Sequence, residues 1–215
     1  DLDGDDGSRS IEPYDLYLNM YDSYLTKRNL YRGKNLGNSF TSDQAAEIDD
    51  GTFDDLYVGD YWTINGDKWV IADFNYFKDI GPNTDETSFA RYRNHIVVFL
   101  DNTQFSAKMN NTNTTDGGFL QSSLYTSGLD PIREKAISDF GDYIAKVSIT
   151  TEYDVSDGKV LSLKFNTYEN VFLASTEAIF GTSFSDYSNL NPTMSDILTT
   201  YYDRFAFFKL NYAWC

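Results

Sequence analysis

The dipeptide Asn65-Gly66 constrains the fold of this chain more than any other short segment, because it separates two runs rich in β-branched and aromatic residues. Asn and Gly readily adopt the positive φ angles that a two-residue hairpin turn requires. Such a turn predicts an antiparallel hairpin in which Ile64 lies opposite Asp67 and Trp62 lies opposite Trp69. The hairpin therefore places both indoles on one face of a sheet.

The aromatic residues around this turn allow two interpretations, a packed core and a ligand-binding face. Cross-strand aromatic pairs stabilise a hairpin by about 0.2 to 1 kcal/mol, so we expect the two Trp to pack mainly in the core. Tyr57 and Tyr61 are predicted at the edge, where amphipathic rings suit contact with a protein or a glycan. The candidate binding surface comprises Tyr57, Tyr61, Trp62 and Trp69.

Two helices are predicted from their end signals. Thr41 and Gln44 form a capping box, and Gly51 suits the left-handed position that ends a short helix. Asp130 as N-cap, followed by Pro131, predicts the start of a second helix that ends before glycine 141. The expected apolar face of that helix consists of Ile132, Ala136, Ile137 and Phe140.

The remaining patterns predict strands and further helices. The continuous apolar run Ile96–Leu100 indicates a central, buried strand. Alternating residues on either side of Asp157-Gly158 predict an amphipathic hairpin, with apolar positions at Ala145, Val147, Ile149, Leu161, Leu163 and Phe165. Residues 105–119 are expected to form a loop, residues 175–181 and 192–205 two helices, and residues 205–215 a strand.

These elements together predict an α+β fold, with antiparallel β-hairpins in a mixed or antiparallel sheet and several short helices. We expect an acidic N-terminal tail and docking arm in residues 1–30. A single domain is predicted for residues 31–215, with a soft boundary near residues 110–118.

The charge balance narrows the classes of partner. The 215 residues include 33 Asp and Glu against 17 Lys and Arg, a formal charge of −16. Such a chain is unsuited to binding nucleic acid phosphates or anionic lipid, so we expect no nucleic acid partner. No apolar run is long enough to span a bilayer, so we also expect no membrane insertion.

The N-terminal residues suggest two further features. Asp1, Asp3, Asp5 and Glu12 stand at the first, third, fifth and twelfth places of a calcium loop, but Asp6 occupies the place that needs Gly. A solvated acidic tail is the alternative. The segment 11–31 is rich in tyrosine and forms the candidate docking arm. The alternative is an ordinary first helix. The tyrosines that we assign to the arm are Tyr14, Tyr17, Tyr21 and Tyr24.

Signals for catalysis are sparse. The chain has one His and one Cys, and it lacks a phosphate-binding Gly loop, a Gly-x-Ser-x-Gly elbow and a His-Glu-x-x-His motif. His95 is predicted to be a strand-end histidine that bonds to the backbone. Paired carboxylates beside aromatic rings leave a glycosidase as a third hypothesis, with candidate residues Asp54, Asp55, Asp60 and Asp73.

Several motifs in order resemble a known group of proteins. They are Gly-x-Phe-Asp-Asp-Leu-x-x-Gly-Asp-Tyr-Trp at 51–62, Trp-x-Ile-Ala-x-Phe-x-Tyr-Phe at 69–77, His-x-Val-Val at 95–98 and Met-Asn-x-x-Asn-x-Thr at 109–115. The segment from Leu30 to about Leu129 resembles virion structural proteins of tailed bacteriophages from gut Firmicutes. The chain lacks the Trp-Leu-Arg and Gly-Val-Arg-Pro section with which members often continue.

The resemblance implies a non-enzymatic structural protein of the phage particle, in a tail, baseplate, neck, head fibre, capsid decoration or host-attachment role. It implies other virion proteins and copies of the same chain as partners, and no cofactor apart from the calcium candidate above. Assembly would take place in the bacterial cytoplasm before release of the particle. The alternative hypothesis is a carbohydrate-binding adhesin module, which requires exposed rings among the Tyr and Trp named above.

Overall fold

The fold is α+β: a three-stranded antiparallel sheet is accompanied by several short helices and a separate two-stranded ribbon. The computed structural model describes residues 27–78, 93–102, 106–114, 119–145, 147–156, 159–168, 171–174, 178–179 and 204–210. The class of fold is therefore the one that the sequence predicts.

The first regular element is helix α1, Ser42–Asp50, and both of its ends follow from local sequence. The Thr41 side chain accepts a hydrogen bond from the Gln44 N–H, and the Gln44 side chain accepts one from the Thr41 N–H. Gly51 ends the helix in the left-handed conformation, with φ of 77°. The predicted capping box and helix end are both confirmed.

The predicted hairpin is also confirmed, and it consists of β1, Tyr61–Ile64, and β2, Asp67–Phe74. Trp62 pairs with Trp69 and Ile64 pairs with Asp67, as a two-residue loop requires. The loop residues Asn65 and Gly66 have φ of 51° and 87°. Positive φ at both positions is the geometry for which Asn-Gly is favoured.

The third strand, β3, spans Ile96–Leu100 and pairs antiparallel with β2, with a bulge at Ala72. Among the described strands the order is β1-β2-β3, so β3 lies at an edge there and not in the predicted central position. β2 is central instead, and all of its residues from Trp69 to Phe74 are buried, whereas only Val97 is buried in β3. A continuous apolar run therefore does not by itself determine the burial of a strand or its position in a sheet.

Helix α2, Asp130–Phe140, follows a short 3-10 turn, Phe119–Gln121, and a π-helical turn, Leu124–Gly128. The N-cap is Leu129, and Asp130 lies inside the helix, where its side chain pairs with Arg133 at 2.7 Å. The predicted N-cap is therefore wrong by one residue. The predicted end before Gly141 is confirmed, and another 3-10 turn, Gly141–Tyr143, follows.

The predicted apolar face of α2 is only partly buried. Ala136 is buried and Phe140 packs against the rings of Trp62 and Trp69. Ile137 is 50% exposed, so its assignment to the core face is wrong. The buried residue Ala136 precedes Ile137 by one position, so Ile137 points about 100° away from it around the helix.

Strands β4, Val147–Ser156, and β5, Lys159–Tyr168, form the predicted second hairpin as a separate two-stranded sheet. Ser156 pairs with Lys159, which leaves the two predicted turn residues between the strands. The register differs from simple alternation, because bulges occur at residues 151 and 161. Ile149 consequently pairs with Asn166, while Phe165 pairs with Thr150.

The last described element is helix α3, Ala206–Leu210, where a strand is predicted, so that prediction is wrong for these residues. Ala206 and Phe207 are buried, and Phe207 contacts the rings of Tyr31 and Phe99. A short apolar run does not distinguish a buried strand from a buried helix turn. Of the two other predicted helices, residues 178–179 of the first are described and are helical, whereas residues 204–205 of the second are described and lie outside a helix.

The centre of the core lies between α1, the β1–β2 hairpin and α3. Its completely or almost completely buried side chains are Phe53, Leu56, Val58, Trp62, Ile71 and Phe74. Phe53 and Phe74 meet edge to face, with ring centroids 5.1 Å apart. Four of these six residues belong to the segment 51–62.

Candidate functional site

Hydrogen bonds and ion pairs hold the segment 27–37 against the sheet, and we call it the root segment because it overlaps the end of the predicted docking arm. It lies beside β1 in a parallel direction, through bridges that join Tyr31 to Val58 and Asn35 to Tyr61. The Arg32 N–H donates to the Val58 carbonyl at 3.0 Å, and the Tyr61 N–H donates to the Lys34 carbonyl at 2.9 Å. The root segment therefore extends the three-stranded sheet at its β1 side.

The first carboxylate that holds the root segment is Asp60, whose side chain is completely buried. It accepts hydrogen bonds from Arg32 Nη2 at 2.5 Å and Nε at 3.0 Å, and from the backbone N–H groups of Lys34 and Tyr57 at 2.8 and 2.9 Å. These hydrogen bonds offset the free-energy cost of burying a carboxylate. We call Asp60 with Arg32 the outer clamp.

Exposed charges surround the outer clamp. Asp55 pairs with both Arg32 and Lys34, and these contacts hold the pKa of the Asp55 carboxyl below its usual value, Lys34 contributing most. The Arg32 guanidinium also lies over the ring of Tyr57, 4.3 Å from its centroid. The guanidinium therefore joins two carboxylates and an aromatic ring of the turn before β1.

The second carboxylate, Asp73, lies in the central strand and is also completely buried. It accepts hydrogen bonds from Arg28 Nε at 2.5 Å and Nη2 at 2.9 Å, from the Phe74 N–H at 2.8 Å and from the Ala206 N–H at 3.0 Å. Burial raises the pKa of the Asp73 carboxyl above its usual value, although the Arg28 guanidinium and the Ala206 N–H oppose this shift. We call Asp73 with Arg28 the inner clamp.

The inner clamp joins three parts of the chain that are distant in sequence. Arg28 belongs to the root segment, Asp73 to the middle of the sheet and Ala206 to the start of α3. The neighbouring Lys27 is buried as well, and its Nζ donates to the Phe53 carbonyl. The two ends of the described chain are thus held on the same strand by one carboxylate.

The candidate aromatic surface divides into two buried indoles and two half-buried phenols. Trp62 is 0% and Trp69 is 5% exposed, and their Nε1–H groups donate to Gln44 Oε1 at 3.1 Å and to Asp139 Oδ2 at 2.7 Å. Buried indoles pack the core and offer no flat ring to a sugar. Tyr57 and Tyr61 are half-buried, and the Lys68 Nζ lies 4.4 Å from the ring centroid of Tyr61.

His95 is buried at the start of β3 and both of its ring nitrogens bond to the backbone, which confirms the prediction for this residue. Nδ1 bonds to the Arg93 carbonyl at 3.0 Å and must donate, while Nε2 accepts from the Phe77 N–H at 3.0 Å. Only the neutral imidazole can make both bonds. Burial first, and Lys78 second, lower the pKa of His95 to about 4.

The carboxylates of the glycosidase hypothesis occupy different environments. Asp54 and Asp55 are exposed, and Asp55 pairs with two basic side chains. Asp60 and Asp73 are the buried residues of the two clamps. The structure therefore assigns both buried carboxylates to holding the root segment.

The other predicted site residues lie outside the described residues. These are the calcium candidates Asp1, Asp3, Asp5 and Glu12 and the docking-arm tyrosines Tyr14, Tyr17, Tyr21 and Tyr24. Within the described ranges, His, Cys, Asp and Glu side chains form no group of three or more that could hold a metal ion. Of the helices in those ranges, none is both long and apolar enough to cross a membrane.

The basic residues of the clamps are absent from the sequence-based predictions, which name only their acidic partners. One signal was present: Lys27, Arg28, Arg32 and Lys34 concentrate four basic residues in eight positions of a strongly acidic chain. Such a local excess of positive charge indicates nearby carboxylates. It does not indicate which of the 33 acidic residues are the partners.

The chain was also compared with known proteins. No family model matches it, and neither a curated protein nor a solved structure matches it significantly.

Proposed function

We propose that this chain is a non-enzymatic structural component of a tailed-phage virion and that it acts through protein–protein assembly. The observation that carries the proposal is the role in the fold of the segment Gly51–Trp62, which is the first motif quoted for the resemblance. Gly51 ends α1, Phe53, Leu56 and Trp62 fill the core, and Asp60 forms the outer clamp. The residues of this motif therefore have packing and clamp roles, and the proposal requires no catalytic residue among them.

Asp60 and Asp73 support the same proposal. A glycosidase needs carboxyl groups that exchange protons or bonds with a substrate in a cleft. Here two of the candidate carboxylates are completely buried and accept hydrogen bonds from arginine and backbone N–H groups. Their arrangement suits fixing chain segments to a sheet.

The clamps also support a docking role for the residues before the root segment. A segment that binds a partner fixes the position of its own domain only if the segment is firmly attached to that domain. The root segment is attached through backbone bonds to the β1 side of the sheet and through two ion pairs whose carboxylates are buried. We therefore propose the tyrosine-rich arm before it as a contact with other virion proteins or with copies of the chain.

Quantitative mass spectrometry of phage particles tests the proposed function. Particles from the bacterium that carries the gene are purified on a density gradient, and tryptic peptides from the described sheet are counted against those of the other particle proteins. We expect the peptides to sediment with intact particles at a constant ratio. Their restriction to the soluble lysate, while other structural proteins sediment, would contradict the proposal.

A further inference from the structure

One carboxylate joins the tip of the β1–β2 hairpin to helix α2. Asp139 of α2 accepts a hydrogen bond from Asn65 Nδ2 at 2.7 Å through Oδ1, and one from Trp69 Nε1 at 2.7 Å through Oδ2. The next residue, Phe140, meets the Trp69 ring edge to face, with ring centroids 5.2 Å apart. The Asn65 side chain is therefore part of the contact that docks α2 on the hairpin.

The turn that carries Asn65 leaves a backbone nitrogen open to reaction. Asn65 and Gly66 are both exposed, and the Gly66 N–H donates to no group in the described part of the chain. A Cβ atom added at Gly66 would meet nothing within 4 Å. Because glycine allows a close approach of its backbone, this nitrogen can reach the side-chain amide of the preceding residue.

We propose that Asn65 is a site of spontaneous deamidation and that its product weakens the docking of α2 on the hairpin. The Gly66 nitrogen, after losing its proton to a base in solution, attacks Cγ of Asn65. The new C–N bond closes a succinimide ring, and the Cγ–Nδ2 bond breaks as Nδ2 takes up a proton and leaves as ammonia. Water then opens the ring at either carbonyl, which leaves an aspartate or an isoaspartate at position 65.

The product replaces a hydrogen-bond donor with a negative charge. Nδ2 supplies the hydrogen of the bond to Asp139, whereas an ionised carboxylate has none to donate. Two carboxylates would then face each other and repel. Lys135, one helical turn before Asp139, already bonds to both carboxylate oxygens of Asp67. The junction therefore loses a bond to a charged group and gains a repulsion.

The aspartate product affects α2 more than it affects the turn. Asp-Gly suits the same two-residue hairpin turn as Asn-Gly, so β1 and β2 keep their register. Isoaspartate carries the backbone through the side chain and therefore also changes the turn. Since ammonia is lost, both products accumulate with the age of the chain. This inference goes beyond the proposed function and does not depend on it.

Peptide mass spectrometry on the stored full chain tests the modification. The purified chain is kept at mildly alkaline pH, which favours loss of the Gly66 amide proton, and the deamidated fraction is followed over weeks. Asn75 is the internal control, because it is buried, its side chain donates to Asn94, and Tyr76 follows it. We expect deamidation at Asn65 to exceed that at Asn75 by roughly tenfold or more, because glycine leaves its own nitrogen accessible.

Hydrogen exchange on two variants of the full chain tests the consequence. Asn65→Asp imitates the aspartate product, and we expect the amides of α2 to exchange roughly tenfold faster than in the unaltered chain, while those of β3 keep their rate. The double variant Asn65→Asp/Asp139→Asn exchanges donor and acceptor. Its new amide can donate to the carboxylate at position 65 and accept from Trp69 Nε1–H, so slow exchange in α2 should return.

The aged chain provides a second measurement if Asn65→Asp fails to fold. Its deamidated fraction, separated by anion exchange, should show the same faster exchange in α2. Conversion at Asn65 no greater than at Asn75 would overturn the inference, and so would unchanged exchange of α2 in the deamidated chain. Equally fast exchange in the single and double variants would also overturn it, because the facing carboxylates would then not be the cause.

Discussion

The single imidazole of the chain, His95, illustrates how one buried side chain makes stability depend on pH. Its Nδ1–H and Nε2 both bond to backbone groups, so a proton on Nε2 would break the bond from the Phe77 N–H. The pKa is about 4 in the folded chain and 6.5 for the unperturbed group. Between these values the unfolded chain binds more protons, so stability falls as pH falls from 6.5 to 4.

We predict that His95 contributes about 3 kcal/mol to this loss of stability. Since the chain has one His, the imidazole resonance in a proton NMR titration reports the pKa without ambiguity. His95→Gln is the control for the loss of stability, because its amide can accept from the Phe77 N–H and donate to the Arg93 carbonyl but does not titrate. The stability of this variant should fall less between pH 6.5 and pH 4. A midpoint near 6.5 would contradict the buried, neutral state.

Arg28 is the second residue whose replacement has a definite expected effect. Arg28→Ala leaves the carboxylate of Asp73 buried without its guanidinium partner, which should destabilise the fold by about 3–5 kcal/mol at pH 7. Urea denaturation followed by Trp fluorescence measures this loss. Because burial already raises the pKa of Asp73, protonation should relieve the defect, so the loss should shrink at lower pH.

The double variant Arg28→Ala/Asp73→Asn separates lost charge pairing from lost packing. An amide at position 73 carries no charge, and we expect it to recover part of the stability that Arg28→Ala removes. If the single and double variants were equally unstable at pH 7, the buried charge of Asp73 would not be the cause.

At the scale of elements, the parts that could be predicted are those determined by neighbouring residues. The capping box of α1 and the hairpin at Asn65-Gly66 depend on residues a few positions apart, and both are confirmed. The position of β3 in the sheet and the helical form of α3 depend on what packs against them. The clamps likewise join residues 28 or more positions apart, which local patterns cannot connect.

The junction of α1 and the hairpin depends on one acceptor atom. Gln44 Oε1 accepts from the Thr41 N–H and from the Nε1–H of the buried Trp62. Gln44→Ala removes both bonds and should cost about 1–3 kcal/mol in thermal or urea unfolding. Gln44→Glu keeps an acceptor and serves as the control; an equal loss in both variants would contradict this explanation.

The contact between the root segment and the turn before β1 depends on Gly59, because a glycine has no side chain. A Cβ atom at Gly59 would lie 2.1 Å from Cε2 of Tyr31, and Gly59 has φ of 84°. We expect Gly59→Ala to destabilise the chain by roughly 2–4 kcal/mol, from the clash and the positive φ together. In a Tyr31→Ala background only the backbone penalty of about 1 kcal/mol should remain. Equal losses in both backgrounds would contradict a close approach of the two segments.

At the scale of the whole molecule, the chain combines a strongly negative formal charge with a sheet to which distant segments are fixed. The formal charge of −16 keeps copies apart unless specific uncharged or aromatic surfaces bring them together. The tyrosine-rich arm is a surface that we propose for this purpose. Since repulsion is screened by salt, association should strengthen as ionic strength rises.

Multi-angle light scattering of the purified full chain, over a wide concentration series, tests the central claim of assembly most directly. We predict a molar mass that reaches a whole-number multiple of the monomer mass, and that reaches it at lower protein concentration when the salt concentration is higher. The monomer mass at every concentration and ionic strength would contradict it.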